Sequence, residues 1–393
     1  MKRISIAVIL SIVLTIAIIF GVMMKNRGVT NETAKTETLD NIAEMRGLWV
    51  SYITLDMSNT DRSFESFKTK FDAVIEDALS IGTNTLIVQV RPFSDALYKS
   101  EVYPASHVLS GVQGEEAGYD ALEYMCDASH KKGLKVHAWI NPYRVSTATS
   151  PDVLADDNPY YIEDFGYETE SGRYLDPSKA EVRDLITEGV AEIVENYKVD
   201  GVQFDDYFYP ADSDDFDKAD YETYIESTPN IIRAMEYDTW RENNVNLLVS
   251  QVFRKIKTIN ENVVFGIAPQ GNIENDYELS ADVKSWCEQY GYVDYICPQM
   301  YYSIQNPIKS FETSLSEWND LQYHEKIKRY IGIGAYKAGT DADGGTWLNN
   351  SQELKNQLEL LRKYSYDGYM IYDYSALTKI EARDTIAVMK EVI

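Results

Sequence analysis

Apolar positions along the chain fall into two alternating patterns. Short runs rich in β-branched and aromatic residues occur at 45–53, 85–91, 135–141, 201–206, 263–269, 292–301, 330–335 and 368–374. Between them, apolar residues recur every three or four positions, as at 64–80, 119–132, 180–197, 229–260, 354–363 and 379–392. Strand-like runs alternating with helical periods predict strand–helix units on a parallel sheet. Eight such units is the count that closes a (β/α)₈ TIM barrel. The connections agree. Helix-to-strand turns are short, as at Ile81-Gly82-Thr83, Lys132-Gly133, Val199-Asp200 and Tyr290-Gly291, whereas the strand-to-helix loops 92–118, 142–178 and 207–228 are long. The elaboration therefore lies at the C-terminal ends of the strands, where such barrels build their sites. The runner-up, an open doubly wound sheet, would carry a Gly-rich phosphate turn after a strand, and none occurs.

The N-terminus follows neither pattern. Lys2-Arg3 precede an apolar run over 4–24, with Lys25 and Arg27 after it. Crossing a bilayer takes about 20 such residues. Residues 1–25 are thus expected to be an uncleaved, single-pass membrane anchor, with a cleaved export signal as the alternative. Residues 26–43, rich in Thr, Glu, Asn and Lys, read as a flexible linker, and 44–393 as one extracytoplasmic barrel domain.

Charge and composition remove several functions. A formal net charge of −26, with no basic cluster, excludes a nucleic acid as main partner. Cys126, Cys287 and Cys297 follow no metal spacing, and His107, His130, His137 and His324 form no metal pair. No metal or cofactor is expected, and no Gly-x-Ser-x-Gly nucleophile elbow occurs.

Strand alternation then selects candidate site residues. If Leu86, Val88 and Val90 face the helices, Gln89 and Arg91 face inward. By the same rule His137, Trp139 and Asn141 face inward, as do Gln203 and Asp205, and Cys297, Gln299 and Tyr301. Polar side chains in a barrel interior need a partner or a purpose. Asp205, at the end of its strand, is the leading catalytic candidate, as nucleophile, general base or partner of a cationic transition state. Its bland reading is a structural ion pair with Arg91. Asp206 stands beside it. Glycoside hydrolysis needs two carboxyls, and the fifth strand ends Ala268-Pro269-Gln270-Gly271-Asn272 without an acid. Asp373 is therefore the first choice for the second, with Asp95 behind it. Gln89, Arg91, Asn141, Gln270, Asn272, Gln299 and Tyr301 are candidate substrate hydrogen-bonders or ordinary satisfied polar groups. Trp139 and Tyr143 are candidate sugar platforms, although an inward Trp is more often core.

Several segments carry a resemblance as a set. They are Met45-Arg46-Gly47-Leu48-Trp49-Val50, Asn84-Thr85-Leu86-Ile87-Val88-Gln89-Val90-Arg91-Pro92 and His137-Ala138-Trp139-Ile140-Asn141-Pro142-Tyr143-Arg144, with Leu175-Asp176-Pro177 after them. Asp200-Gly201-Val202-Gln203-Phe204-Asp205-Asp206-Tyr207-Phe208-Tyr209-Pro210 and Pro298-Gln299-Met300-Tyr301-Tyr302 complete it. The chain resembles the bacterial glycosyl-hydrolase-like 10 family of (β/α)₈ barrels. That resemblance implies a glycosidase-like barrel, often exported or lipid-anchored, with some relatives acting on peptidoglycan glycan strands stripped of their peptides. No Cys lies near the N-terminal apolar run, so lipid anchoring does not carry over. The expected function is a glycoside hydrolase of a cell-wall or surface polysaccharide, peptidoglycan glycan strands among them. The alternatives are a non-catalytic glycan-binding barrel, given the missing strand-five acid, and a metal-dependent hydrolase of another bond.

Overall fold

The computed structural model describes residues 44–212, 216–229, 234–348 and 350–393. The N-terminal apolar run and the linker lie outside the described residues. Among those described, no helix is long and apolar enough to cross a membrane.

Eight parallel strands close into a TIM barrel. They are β1 (Met45–Val50), β2 (Thr85–Arg91), β3 (Lys135–Ile140), β4 (Gly201–Phe204), β5 (Val264–Ile267), β6 (Tyr295–Ile296 with Gln299–Met300), β7 (Lys328–Ile333) and β8 (Gly368–Ile371). Each pairs with its neighbour, and β1 pairs with β8 through Met45–Gly368 to Leu48–Ile371, which closes the ring. All eight runs read from the sequence are present. Most helices are too. Phe64–Ser80 buries Phe67, Phe71, Val74, Ile75 and Ala78 on one stripe, and Ser63 caps it by accepting the Ser66 N–H at 3.3 Å. Asp120 caps Ala121–Lys131 likewise. Gly82 and Gly133 make the tight returns at φ +71° and +78°, where a Cβ would be strained. The helix expected over 229–260 instead starts at Tyr237, and a separate helix, Lys218–Ser227, precedes it.

Two buried clusters follow from the alternation. A large one fills the shell between strands and helices, and includes Leu86, Val88, Val136, Ala138, Val202 and Phe204. A smaller one fills the barrel interior with Met45, Trp49, Ile87, Trp139, Tyr295, Cys297 and Met370. Large rings fit there because glycine opposes them. A Cβ on Gly266 would lie 2.1 Å from the Tyr295 ring, and one on Gly332 would lie 2.9 Å from Trp49. The long loop after β3 holds an antiparallel sheet that alternation alone did not predict, made of Arg144–Thr147, Gly166–Thr169 and Gly172–Leu175.

One strand departs from simple alternation. In β2, Gln89 pairs with Trp139 but Arg91 pairs with Ile140, so Val90 and Arg91 together span one step of β3. This bulge turns Arg91 to the helix side, beside its register partner Ile140.

Candidate active site

Asp205 and Asp206 directly follow β4, where the chain leaves the strand. Both are buried, at 3% and 6% exposure. Asp205 Oδ2 accepts from Trp139 Nε1 at 2.9 Å and from Asn141 Nδ2 at 3.4 Å. Its Oδ1 is buried with no protein partner, an oxygen left for something outside the fold to meet. Asp206 Oδ2 accepts from the Gln270 amide. The Gln270 backbone N–H is in turn held at 2.8 Å by Asp276, a fully buried acid on the helix Ile273–Glu278. Burial and the neighbouring Asp206 push the Asp205 carboxyl up to about 7. Burial pushes Asp206 up to about 6, against the pull of the Gln299 and Gln270 amides and Arg144. Both carboxyls are thus raised toward neutral pH, and Asp205 holds a proton more readily than Asp206.

Rings line the space around the pair. Tyr372 packs edge-on to Trp49 and Trp139 at 5.9 and 6.4 Å, and stacks on Tyr301 at 5.1 Å. Tyr336 meets both tyrosines edge-on. Tyr207 is 44% exposed, with the Arg144 guanidinium 4.7 Å from its ring centroid. Below the aspartates a chain of polar groups crosses the barrel. Trp49 Nε1 donates to Gln203 Oε1 at 2.6 Å, Gln203 Nε2 donates to the Tyr295 hydroxyl at 3.2 Å, and His137 Nδ1 meets that hydroxyl at 3.0 Å. Burial lowers His137 to about 4, so the ring is neutral.

The structure gathers some of the expected residues and disperses others. Asn141 and Trp139 contact Asp205; Gln270 contacts Asp206; Tyr301 lines the same space. Gln299 Nε2 donates to the carbonyl of Ala268, two residues before Gln270, at 2.8 Å. Gln89 is buried and accepts the Tyr52 N–H at 3.1 Å, so it anchors the loop after β1. Asp373, just past β8, accepts from Ser51 at 3.3 Å and Ser375 at 2.6 Å, and both its oxygens are engaged. Asp95 is held by His107 and Gln113 at 2.9 and 3.0 Å.

Two expectations are corrected, and a third residue takes the satisfied-polar alternative left open for it. Arg91 does not face the site: the β2 bulge places its guanidinium 4.4 Å from the Tyr103 ring on the helix side, and it makes no ion pair with Asp205. Tyr143 offers no platform, because the loop sheet buries it completely within the shell. Asn272 is engaged by Asn275 and Lys309 at the start of the helix Ile273–Glu278. Two residues escaped the alternation argument. Arg144 starts the loop sheet, outside any barrel strand, and its field lowers both aspartates. Asp276 sits on a short loop helix. The signal available for Arg144 was its place at the end of the segment 137–144, one of those that carry the family resemblance.

Comparison with known proteins fits this geometry. Over residues 44–347 the chain matches the family Glycosyl hydrolase-like 10. It is 36% identical to the glycosyl hydrolase DigH of Escherichia coli K12, over 80% of this chain and 79% of that protein. It is 33% identical to the glycosyl hydrolase YngK of Bacillus subtilis, over 81% of this chain and 67% of that protein. The fold is similar to the PgaB (BpsB) glycoside hydrolase domain of Bordetella bronchiseptica, with a TM-score of 0.57 at 14% identity, covering 88% of this chain and 99% of that one. It is also similar to an endo-1,4-beta-mannanase of Rhizomucor miehei, with a TM-score of 0.56 at 12% identity, covering 89% and 94%. The barrel closed by β8, with its acid pair at the end of β4, belongs to the glycosyl hydrolase-like 10 family.

Proposed function

We propose that this protein is a glycoside hydrolase that cleaves the O-glycosyl bonds of a cell-wall or surface polysaccharide, peptidoglycan glycan strands among them. The observation that carries the reading is the Asp205–Asp206 pair, two adjacent buried carboxyls of unequal proton affinity at the mouth of the barrel. Asp205, the more readily protonated, gives its proton to the leaving oxygen through the unpartnered Oδ1. Trp139 and Asn141 fix the other oxygen and so aim the acid. Asp206, ionised and oriented by Gln270, offsets the positive charge that develops at the anomeric carbon, as base or nucleophile. Tyr207, Tyr301 and Tyr372 offer ring faces and edges to the sugar.

The test is Asp205→Asn assayed on purified peptidoglycan strands, with and without peptides. Release of reducing ends should fall by roughly 10²–10⁴-fold, while the variant keeps its fold and its glycan binding. Turnover equal to the parent's removes the assignment. A second reading, a glycan-binding barrel without catalysis, draws on the engagement of Asp373 by two serines and on the amide that ends β5 in place of an acid. It predicts glycan binding with no new reducing ends on long incubation. On either reading, the N-terminal apolar run would export the barrel and tether it to the membrane. Membrane fractionation of the full chain tests that, and its recovery as a shorter, soluble form would point to a cleaved signal.

A further inference from the structure

Arg144 faces the acid pair without binding it. Its charge acts on Asp205 and Asp206, yet among the described residues no carboxylate comes within ion-pair distance of it. Among the described residues its one side-chain hydrogen bond runs from Nε to the Pro92 carbonyl at 3.3 Å. The guanidinium sits 5.1 Å from the Phe93 ring centroid and 4.7 Å from that of Tyr207. It is only half-buried, and its terminal nitrogens reach solvent. A cation that served only to neutralise the pair would close onto it. This one is instead held by two rings and a backbone carbonyl, with its forked end free. Such a fork matches a planar carboxylate in two parallel hydrogen bonds, and the aromatic contacts reduce the freedom lost when it binds.

We infer that Arg144 determines specificity by receiving the carboxylate of an acidic sugar unit, so that the site takes a carboxylate-bearing glycan in preference to a neutral one. The inference rests on reading the site as glycan-binding. It also gives the bound chain a direction. Asp206, the ionised member of the pair, repels an acidic substituent on the β4–β5 side, and Arg144 accepts it on the side of Phe93. One sugar register is thereby favoured over its neighbours.

The experiment uses peptide-free peptidoglycan strands, which carry free lactyl carboxylates, and the same strands with those carboxylates reduced to alcohols. Binding is measured by calorimetry on the Asp205→Asn protein, so no turnover is required. Reduction of the carboxylates is expected to weaken binding about tenfold or more, the size of a lost charge-assisted pair. In Asp205→Asn/Arg144→Met that difference should vanish, with affinity for the reduced strands unchanged. Arg144→Lys should restore part of it. In the enzyme with Asp205 intact, the preference for carboxylate-bearing over reduced strands should appear in KM, and Arg144→Met should abolish that preference. Equal binding of the two strands by Asp205→Asn overturns the inference without any change at Arg144. So does a failure to bind either strand, or an equal loss on both strands in the Arg144→Met form. Carboxylate-dependent binding without any cleavage would sink the hydrolase reading and leave this inference standing.

Discussion

Asp205 is held in a form that costs the fold stability. Its carboxyl rises from 3.8 to about 7 on folding, so between those values the folded state keeps a proton that the unfolded chain releases. Stability from this group therefore falls as pH rises through that window, and the full cost is present above it. Asparagine bears no such cost and can still accept from Trp139. Asp205→Asn is expected to melt higher than the parent at about pH 8, with the gain shrinking toward about pH 4. Calorimetric scans at the two pH values check this. The Trp139 N–H acts in the opposite direction, favouring the ionised form. Trp139→Phe should then move the alkaline limb of the pH–rate profile to higher pH, because Asp205 keeps its catalytic proton longer. A limb that stays in place would separate Asp205 from the acid role. Residues such as Asp205, Asn141 and Gln270 were legible from the sequence because strand alternation and strand ends fix where they point. Arg144 and Asp276 were not, because loop backbone carries no period from which to read direction.

At the scale of one element, the β2 bulge decides what strand alternation could not. A single extra residue at Val90–Arg91 reverses the facing of everything after it. The sequence pattern Leu86, Val88, Val90 carries no sign of it, since bulged and regular strands share the same alternation up to that point. As a result a guanidinium 1% exposed, with no hydrogen-bond partner, lies against Tyr103 in the shell. Replacing a buried charge of this kind by an apolar chain of similar length is often neutral or stabilising. Arg91→Met is accordingly expected to leave kcat and KM unchanged and to melt no lower than the parent. A rise in KM would return Arg91 to the site. The loop sheet after β3 escaped the sequence for a different reason: its strands are four residues each, too short for alternation to rise above the noise of a loop.

Across the whole molecule, the order of strands was the most legible feature, because each strand–helix unit repeats the same two periods. The family match ends at residue 347, yet the ring does not. β8 supplies both the β1 and the β7 seam, with Leu48 against Ile371 and Ile333 against the same residue. A chain that stops before Gly368 leaves two sheet edges open and removes Met370 from the interior cluster. Such a truncation is expected to lose cooperative melting, whereas a chain starting at residue 44 should retain it. Circular dichroism during heating distinguishes the two. The ring also encloses the Trp49–Gln203–Tyr295–His137 chain beneath the aspartates, with neutral His137 at one end. The Trp49 N–H and the Gln203 amide are engaged within that chain, and large rings pack around it. Among the described residues the barrel interior is therefore plugged beneath the acid pair. Protons and water spent at Asp205 must enter and leave past the same tyrosines that receive the sugar, so a bound glycan closes the route by which the acid is recharged. Reprotonation then belongs after product departure in the cycle, and a slow-leaving product would hold the enzyme in its discharged state.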